Sequence, residues 1–93
     1  FLSGGIDSNA VVDSMARQSR DPVVACSVGF RERSHDELDE ARRTAQRLGL
    51  THHAEVLEPD PAGSLDELAW LYDEPHADPS NLPTLLVSRT ARR

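Results

Sequence analysis

The sequence has no lysine, a single cysteine and few aromatic residues, and each scarcity excludes a class of protein. Its ten arginines are scattered among sixteen acidic residues and the net charge is −6, so it lacks the clustered basic surface that nucleic acids require. Cys26 has no second cysteine to pair with, which predicts a reducing, cytoplasmic location. No apolar run approaches the roughly 20 residues of a membrane span, and no signal-peptide pattern is present. We therefore expect neither a nucleic-acid partner nor a membrane partner.

The length of the chain sets a limit on what it can contain. At 93 residues it is long enough for at most one small domain, and small domains bury proportionally little surface. The sequence enters a glycine turn directly after Phe1 and Leu2, and it stops on Arg92 and Arg93 after an apolar periodic stretch. We therefore expect a piece of a larger domain, truncated at both ends.

Strand and helix patterns alternate along the first part of the chain. Residues 2–7 predict the end of a strand running into a turn, and apolar residues between positions 10 and 16 follow at helical spacing. The β-branched apolar run at 23–28 is typical of a strand covered on both faces, and residues 51–57 predict a further strand.

A helix is predicted between the last two of these strands. Residues 34–37 (Ser-His-Asp-Glu) fit a capping box, and Gly49 suits a left-handed helix end. The apolar positions at helical spacing are Leu38, Ala41, Ala45 and Leu48.

The last third of the chain predicts helices without further strands. Two prolines and a glycine predict a loop at 58–63, and a second capping box at 64–67 opens a helix. An irregular loop follows at 73–82, and a final helix begins near Pro83. Strands that alternate with helices in this way predict an α/β fold, a doubly wound parallel sheet with flanking helices.

The glycine loop (residues 3–8, Ser-Gly-Gly-Ile-Asp-Ser) lies between a predicted strand and a predicted helix. Its backbone N–H groups can converge on an anion at the positive end of the helix dipole. We expect Gly4 and Gly5 to allow backbone angles and close approach that a Cβ would block, and the hydroxyls of Ser3 and Ser8 to donate to phosphate oxygens. The loop therefore predicts phosphate binding.

Asp7 is the unusual residue of the glycine loop, because a carboxylate repels phosphates unless a divalent cation bridges the two. Its presence predicts Mg²⁺ held jointly by Asp7 and a nucleotide. Two other kinds of phosphate-binding loop are excluded by residue content. The pattern Gly-x-x-x-x-Gly-Lys-Ser/Thr needs a lysine, and the dinucleotide pattern Gly-x-Gly-x-x-Gly is not present. A nucleophilic Ser8 would need Gly-x-Ser-x-Gly, which is missing. An ordinary turn in which Asp7 or Ser8 caps the helix is the alternative.

Residues 2–8 resemble the Ser-Gly-Gly-x-Asp-Ser pyrophosphate loop of the ATP pyrophosphatases, the PP-loop superfamily with its adenine nucleotide alpha hydrolase-like fold. These enzymes cleave ATP between its α and β phosphates. Residues 27–30, 36–49 and 73–89, together with the pair His52-His53, are similar to the synthetase domain of the glutamine-hydrolysing asparagine synthetase family. By this resemblance, residues 1–93 are the N-terminal part of the ATP-binding (synthetase) domain.

The resemblance implies ATP and Mg²⁺ as cofactors, aspartate as substrate, and ammonia supplied by a glutaminase domain that this chain does not include. It is compatible with a homodimer. The residues that it implies for pyrophosphate and Mg²⁺ are Ser3, Gly4, Gly5, Asp7 and Ser8, with Asp7 as the catalytic residue and metal ligand. Leu2 and Val28 would contact the adenosine part of ATP. Those it places near the amino-acid substrate are Asp73, Glu74, Asp78 and Ser80, although Asp73 and Glu74 can equally form a simple helix end.

The family's second motif, Ser-Gly-x-Gly-x-Asp-Glu, and its catalytic lysine are missing from this sequence, so we expect the fragment alone to be inactive. Two other functions stay open: a related ligase with another acceptor, of the β-lactam synthetase or lasso-peptide cyclase type, and a nucleotide-binding module without catalysis.

Three groups of residues are expected to be structural. Adjacent histidines on a strand point to opposite faces, so His52 and His53 are expected to pack or to lie on the surface and not to bind one metal. Trp70 and Tyr72 are expected in the core and at its rim, and Cys26 is expected to be a small buried apolar residue.

Overall fold

The computed structural model describes residues 1–31, 35–58, 60–75 and 77–93, with the backbone alone at positions 35 and 36. The elements in chain order are α1 (Ile6–Gln18), β1 (Val24–Phe30), α2 (His35–Leu48), β2 (Thr51–Leu57), α3 (Pro61–Tyr72) and α4 (Asn81–Arg92). The proposed capping box at 34–37 falls partly outside the described residues.

The two described strands, β1 and β2, pair in parallel, with Val24 opposite Thr51 and Phe30 opposite Leu57. Parallel neighbours need a crossover, and α2 supplies it. The backbone at Leu2 is not assigned to the sheet, but its N–H donates to the carbonyl of Cys26 at 2.9 Å, as in a strand beside β1. The predicted α/β class, with a parallel sheet and flanking helices, is confirmed.

Helices α1 and α2 cover one face of the sheet. Ala25 of β1 packs with Ala41 and Ala45 of α2, and all three are buried because small side chains let the helix approach the strand closely. Leu2 and Val12 complete this cluster. The predicted apolar face of α2 is therefore confirmed.

Helix α4 packs on the opposite face of the sheet. The Thr90 hydroxyl donates to Glu55 Oε2 of β2 at 2.6 Å, and Arg93 donates to the other oxygen of the same carboxylate at 2.9 Å. Helix α3 lies outside α4 and is joined to it by an ion pair between Glu67 and Arg89. Flanking helices therefore lie on both faces of the sheet.

The predicted end of α2 is confirmed, but the predicted start of α3 is wrong. Gly49 has φ +67°, the predicted left-handed end of α2. The predicted loop at 58–63 is wrong, because α3 begins at Pro61: the Asp60 carboxylate accepts from the Gly63 N–H at 2.9 Å, and proline suits the first helical turn. Ser64 is not a cap, since it lies inside the helix and donates to the Asp60 carbonyl.

The expectation that Trp70 belongs to the core is wrong. Its side chain is 80% exposed, and none of the residues of α3 is buried in the described structure. Tyr72 is 37% exposed, which agrees with a place at the rim. Trp70 lies off the helical face that Leu65, Leu68, Ala69 and Tyr72 share, and among the described elements α3 packs against α4.

Candidate nucleotide site

A cleft of about 580 Å³ opens beyond the carboxyl end of β1, between the glycine loop and the first turns of α2 and α4. Ligands of parallel α/β sheets bind at this edge, because loops diverge there and helix N-termini point toward it. The residues that line the cleft are Phe1, Leu2, Ser3, Ser8, Val28, Gly29, Phe30, Glu37, Pro83, Thr84 and Val87.

Four of the residues implied for nucleotide binding line this cleft together. The glycine loop contributes Ser3 and Ser8, and Leu2 directly precedes the loop. Val28 belongs to β1 and is at least 20 positions away from these residues along the chain. Two apolar side chains and two hydroxyls in one cleft suit a ligand with a flat base and a charged tail.

The serine hydroxyls of the glycine loop bind each other and the loop backbone. The Oγ atoms of Ser3 and Ser8 lie 2.8 Å apart, and the Gly5 N–H donates to Ser3 Oγ at 3.1 Å. Ser8 Oγ also receives the Ser3 N–H at 3.1 Å. These bonds hold the loop in one shape before any ligand arrives.

Asn9 was missed by the sequence analysis, although its side chain makes two hydrogen bonds to the glycine loop. Its Nδ2 donates to the carbonyl oxygens of Ser3 at 3.0 Å and Gly5 at 2.7 Å. Its Oδ1 accepts from the buried hydroxyl of Thr44 on α2 at 2.5 Å. A single carboxamide thus ties the loop to a neighbouring helix, and no local pattern in the sequence signals that pairing.

Gly4 lies against the first turn of α2. A Cβ at this position would come within 3.3 Å of the Glu37 Cα and 3.4 Å of its carbonyl oxygen. Neither Gly4 nor Gly5 has φ in the left-handed region, and Gly5 is extended at φ −77°. The expectation of unusual backbone angles is therefore wrong, whereas the need for close approach holds at Gly4, with α2 as the neighbour.

Asp7 lies in the first turn of α1, and its side chain is exposed. The cap position belongs to Gly5 without a side-chain cap bond, so neither Asp7 nor Ser8 caps the helix. Within the described residues no hydrogen bond or ion pair engages the Asp7 carboxylate. Mg²⁺ is usually bound by one or two carboxylates plus phosphate oxygens and water, so a single exposed carboxylate beside a phosphate loop fits this ion. No group of three or more potential metal ligands occurs in the described part of the chain.

A buried network fixes the start of the glycine loop. Ser27 Oγ donates to the Leu2 carbonyl at 2.5 Å and lies 2.8 Å from His52 Nε2. Because the serine has one hydroxyl hydrogen and gives it to Leu2, His52 must donate from Nε2. His52 is thus a packing residue, as expected, and it also supports the approach to the cleft.

The environment of His52 makes this network sensitive to pH. Burial lowers the pKa of the imidazole below its ordinary value of 6.5, and the positive charge of Arg42 and the neighbouring His53 lower it further. The unfolded chain therefore takes up the proton at a higher pH than the folded chain does. The stability contributed by neutral His52 is complete above about pH 6.5 and is lost as the pH falls through the lowered folded value.

We expect His52→Gln to flatten this pH dependence, since the amide can donate to Ser27 without titrating. The measurement is denaturant unfolding of both proteins at several pH values between 8 and 5. The wild type should lose stability relative to the variant as the pH falls below 6.5. Parallel curves for the two proteins would contradict the assignment.

Asp73 and Glu74, implied to lie near the amino-acid substrate, follow the end of α3. Asp73 adopts φ +54° and its N–H donates to the Ala69 carbonyl at 3.0 Å, which ends the helix. Glu74 is exposed, and neither residue belongs to the lining of the cleft that the described residues form. The helix-end alternative thus accounts for the geometry of Asp73, and the substrate role stays a prediction.

Asp78 and Ser80 precede α4 and help to start it. Asp78 Oδ1 accepts the Ser80 N–H at 2.8 Å, and the Ser80 carbonyl accepts the Thr84 N–H at 2.9 Å. Neither side chain lines the cleft among the described residues, but Pro83 and Thr84, one turn later, do. The segment therefore leads into the part of α4 that lines the cleft.

The fold and the glycine loop define an α/β domain of the PP-loop type. The sequence matches the Asparagine synthase family over residues 1–93, and the chain belongs to that family. It is 36% identical over 94 residues to "Asparagine synthetase [glutamine-hydrolyzing] 1" of Bacillus subtilis and 37% identical over 94 residues to a putative asparagine synthetase of Mycobacterium bovis. Both matches cover 100% of the chain but only 15% and 14% of the relatives.

Relatives with another product match part of the chain. A 7-cyano-7-deazaguanine synthase of Parasynechococcus marenigrum is 42% identical over 53 residues, which cover 57% of the chain and 23% of that protein. No solved structure matches the chain. None of the helices in the described part of the chain is both long and apolar enough to cross a membrane.

Proposed function

We propose that this chain forms the first part of the ATP-binding site of an AMP-forming amide ligase that converts aspartate to asparagine in the cytoplasm. The observation that supports it is the cleft beyond β1, which brings Leu2, Ser3 and Ser8 together with Val28. Membership of the Asparagine synthase family and matches to asparagine synthetases over the whole of this chain support the same activity.

In the proposed reaction, a side-chain carboxylate oxygen of aspartate attacks the α-phosphorus of ATP. The bond to the bridging oxygen breaks, and pyrophosphate leaves with its electron pair. Ammonia derived from glutamine then attacks the activated carbonyl, loses a proton and expels AMP. Adenylation turns a poor leaving oxygen into a good one, and the protein contributes positioning and neutralisation of charge.

The residues of this chain act on the phosphates in this proposal. The glycine loop and its serine hydroxyls hold the departing pyrophosphate at the start of α1, where the helix dipole favours negative charge. Asp7 would hold Mg²⁺, which neutralises the phosphate oxygens when bound. Leu2 and Val28 would flank the adenosine part, and the segment from Asp73 to Ser80 would approach the amino acid.

Two alternatives differ in what they require of the chain. A ligase with another acceptor stays an alternative, because part of the chain is also similar to 7-cyano-7-deazaguanine synthases, whose product differs. A nucleotide-binding module without catalysis requires no acidic residue beside the phosphates, so Asp7 argues against it.

The test is an incubation of the protein at its full encoded length with ATP, Mg²⁺, aspartate and glutamine. We expect pyrophosphate, AMP and asparagine in equal amounts, and no pyrophosphate when aspartate is omitted. ADP and phosphate as products would contradict both ligase functions. Pyrophosphate that forms with another acceptor but not with aspartate would favour the related ligase.

A further inference from the structure

The carboxamide of Asn9 makes three hydrogen bonds in the described structure and uses both of its N–H donors. It carries two N–H donors and a carbonyl oxygen, and these bind the carbonyls of Ser3 and Gly5 and the hydroxyl of Thr44. Thr44 is only 4% exposed and belongs to α2, which packs on the sheet. Asn9 therefore anchors two carbonyl groups of the glycine loop to a rigid part of the fold.

Anchoring those carbonyls also sets the direction of two N–H groups. The described chain has no cis peptide bonds, and in a planar trans peptide the carbonyl of one residue and the N–H of the next point in opposite directions. Holding the Ser3 carbonyl toward Asn9 thus turns the Gly4 N–H away from it, and holding the Gly5 carbonyl does the same to the Ile6 N–H. Neither N–H has an acceptor among the described residues.

We propose that Asn9 is a positioning residue of the phosphate-binding loop, which holds the Ser3 and Gly5 carbonyls so that the Gly4 and Ile6 N–H groups face the nucleotide phosphates. This inference rests on the proposed function and adds a residue to its site. Asn9 itself touches no phosphate in this arrangement, and it acts through the peptide planes that it orients.

Asn9→Asp is the sharpest test, because it keeps the size of the side chain and replaces both N–H donors with an oxygen. That oxygen would face two carbonyl oxygens now 2.7 and 3.0 Å from Nδ2, so the peptides should turn away. The affinities for inorganic pyrophosphate and for ATP, each with Mg²⁺, are measured on the protein at its full encoded length. We expect both to weaken about 10- to 100-fold, as when a hydrogen bond to a charged group is lost.

Two comparisons separate positioning from a purely structural role. Adenosine affinity should change little in Asn9→Asp, whereas general damage to the fold would weaken adenosine and pyrophosphate alike. Gln18→Glu makes the same amide-to-carboxylate change on α1, where Gln18 donates to Ser14 far from the loop, and it should leave all affinities unchanged. Equal losses in the two variants would overturn the proposal.

Thr44→Val is the test to use if Asn9→Asp does not fold, because it keeps Asn9 and removes only the hydroxyl that donates to Asn9 Oδ1. We expect a loss of about 2- to 10-fold in pyrophosphate affinity, the range for one neutral hydrogen bond. If Asn9→Asp folds and binds pyrophosphate as tightly as the wild type, the role of Asn9 is overturned and the proposed function is not. If Asn9→Asp does not fold, wild-type pyrophosphate affinity in Thr44→Val has the same meaning. A wild-type protein that binds neither pyrophosphate nor ATP would overturn the proposed function as well.

Discussion

Asp7→Asn should lower the rate of pyrophosphate release by a factor on the order of 10² to 10³, the range for removing one group that stabilises transition-state charge. The carboxylate is exposed at the first turn of α1, two positions after Gly5. The amide keeps the size of the side chain but loses the negative charge that holds Mg²⁺. The readout is pyrophosphate formed from ATP and aspartate by the protein at its full encoded length.

Two further measurements tie this loss to Mg²⁺. Raising the Mg²⁺ concentration should restore part of the Asp7→Asn activity, because one oxygen of the side chain is still present, and a chelator should abolish activity in the wild type. Glutamine hydrolysis should stay measurable in the variant. Asp13→Asn is the matched control: Asp13 lies on the same helix and pairs with Arg17 at 2.7 Å, away from the loop. Unchanged synthesis by Asp7→Asn would remove Asp7 from the mechanism.

The sequence predicted those parts of the fold that depend on local patterns. The strand predicted at 51–57 has the observed bounds of β2, and Gly49 marked the end of α2, because both signals act within a few residues. The resemblance to the family singled out Val28 for contact with adenosine, and that contact stays a prediction. The structure brings Val28 into the same cleft as Ser3 and Ser8, because the strand ends of a parallel sheet share one edge.

Local patterns failed where two signals compete. Pro61 disfavours a helix interior but suits a first helical turn, and the choice depended on recognising Asp60 as the cap. Trp70 is large and aromatic, but it lies off the face that Leu65, Leu68, Ala69 and Tyr72 share at helical spacing, so its residue type and its position on the helix gave opposite indications.

Contacts between distant residues explain what the sequence could not predict in the candidate site. Asn9 and Thr44 are 35 positions apart, and Ser27 meets both Leu2 and His52 across 25 positions. Each of these residues is unremarkable in its own segment. Their roles arise only when α2 and β2 pack beside the glycine loop, so tertiary structure is needed to find them.

Gly4→Val should disrupt ATP-dependent synthesis severely, because the space beside Gly4 is filled by backbone. Even the first added carbon would lie 3.3 Å from the Glu37 Cα and 3.5 Å from the Glu40 Cβ. A helix backbone cannot rotate aside as a side chain can, so the loop and α2 must separate, at a cost of about 1–3 kcal/mol in unfolding free energy. We expect the KM for ATP to rise at least about tenfold, since one misplaced hydrogen bond to a charged group has that effect.

Two other glycines of the chain supply graded controls for Gly4→Val. At Gly5 an added carbon meets the Ser3 hydroxyl at 3.3 Å, a side chain that can rotate, so Gly5→Ala should raise the KM less. At Gly49 nothing lies within 4 Å but φ is +67°, so Gly49→Ala should lower the unfolding free energy by about 1–2 kcal/mol and leave the KM for ATP unchanged. Steady-state kinetics and denaturant unfolding of the three variants would then separate loss of stability from loss of loop position. If Gly4→Val and Gly49→Ala lose stability equally and both keep the wild-type KM for ATP, the close contact between the glycine loop and α2 does not control nucleotide binding.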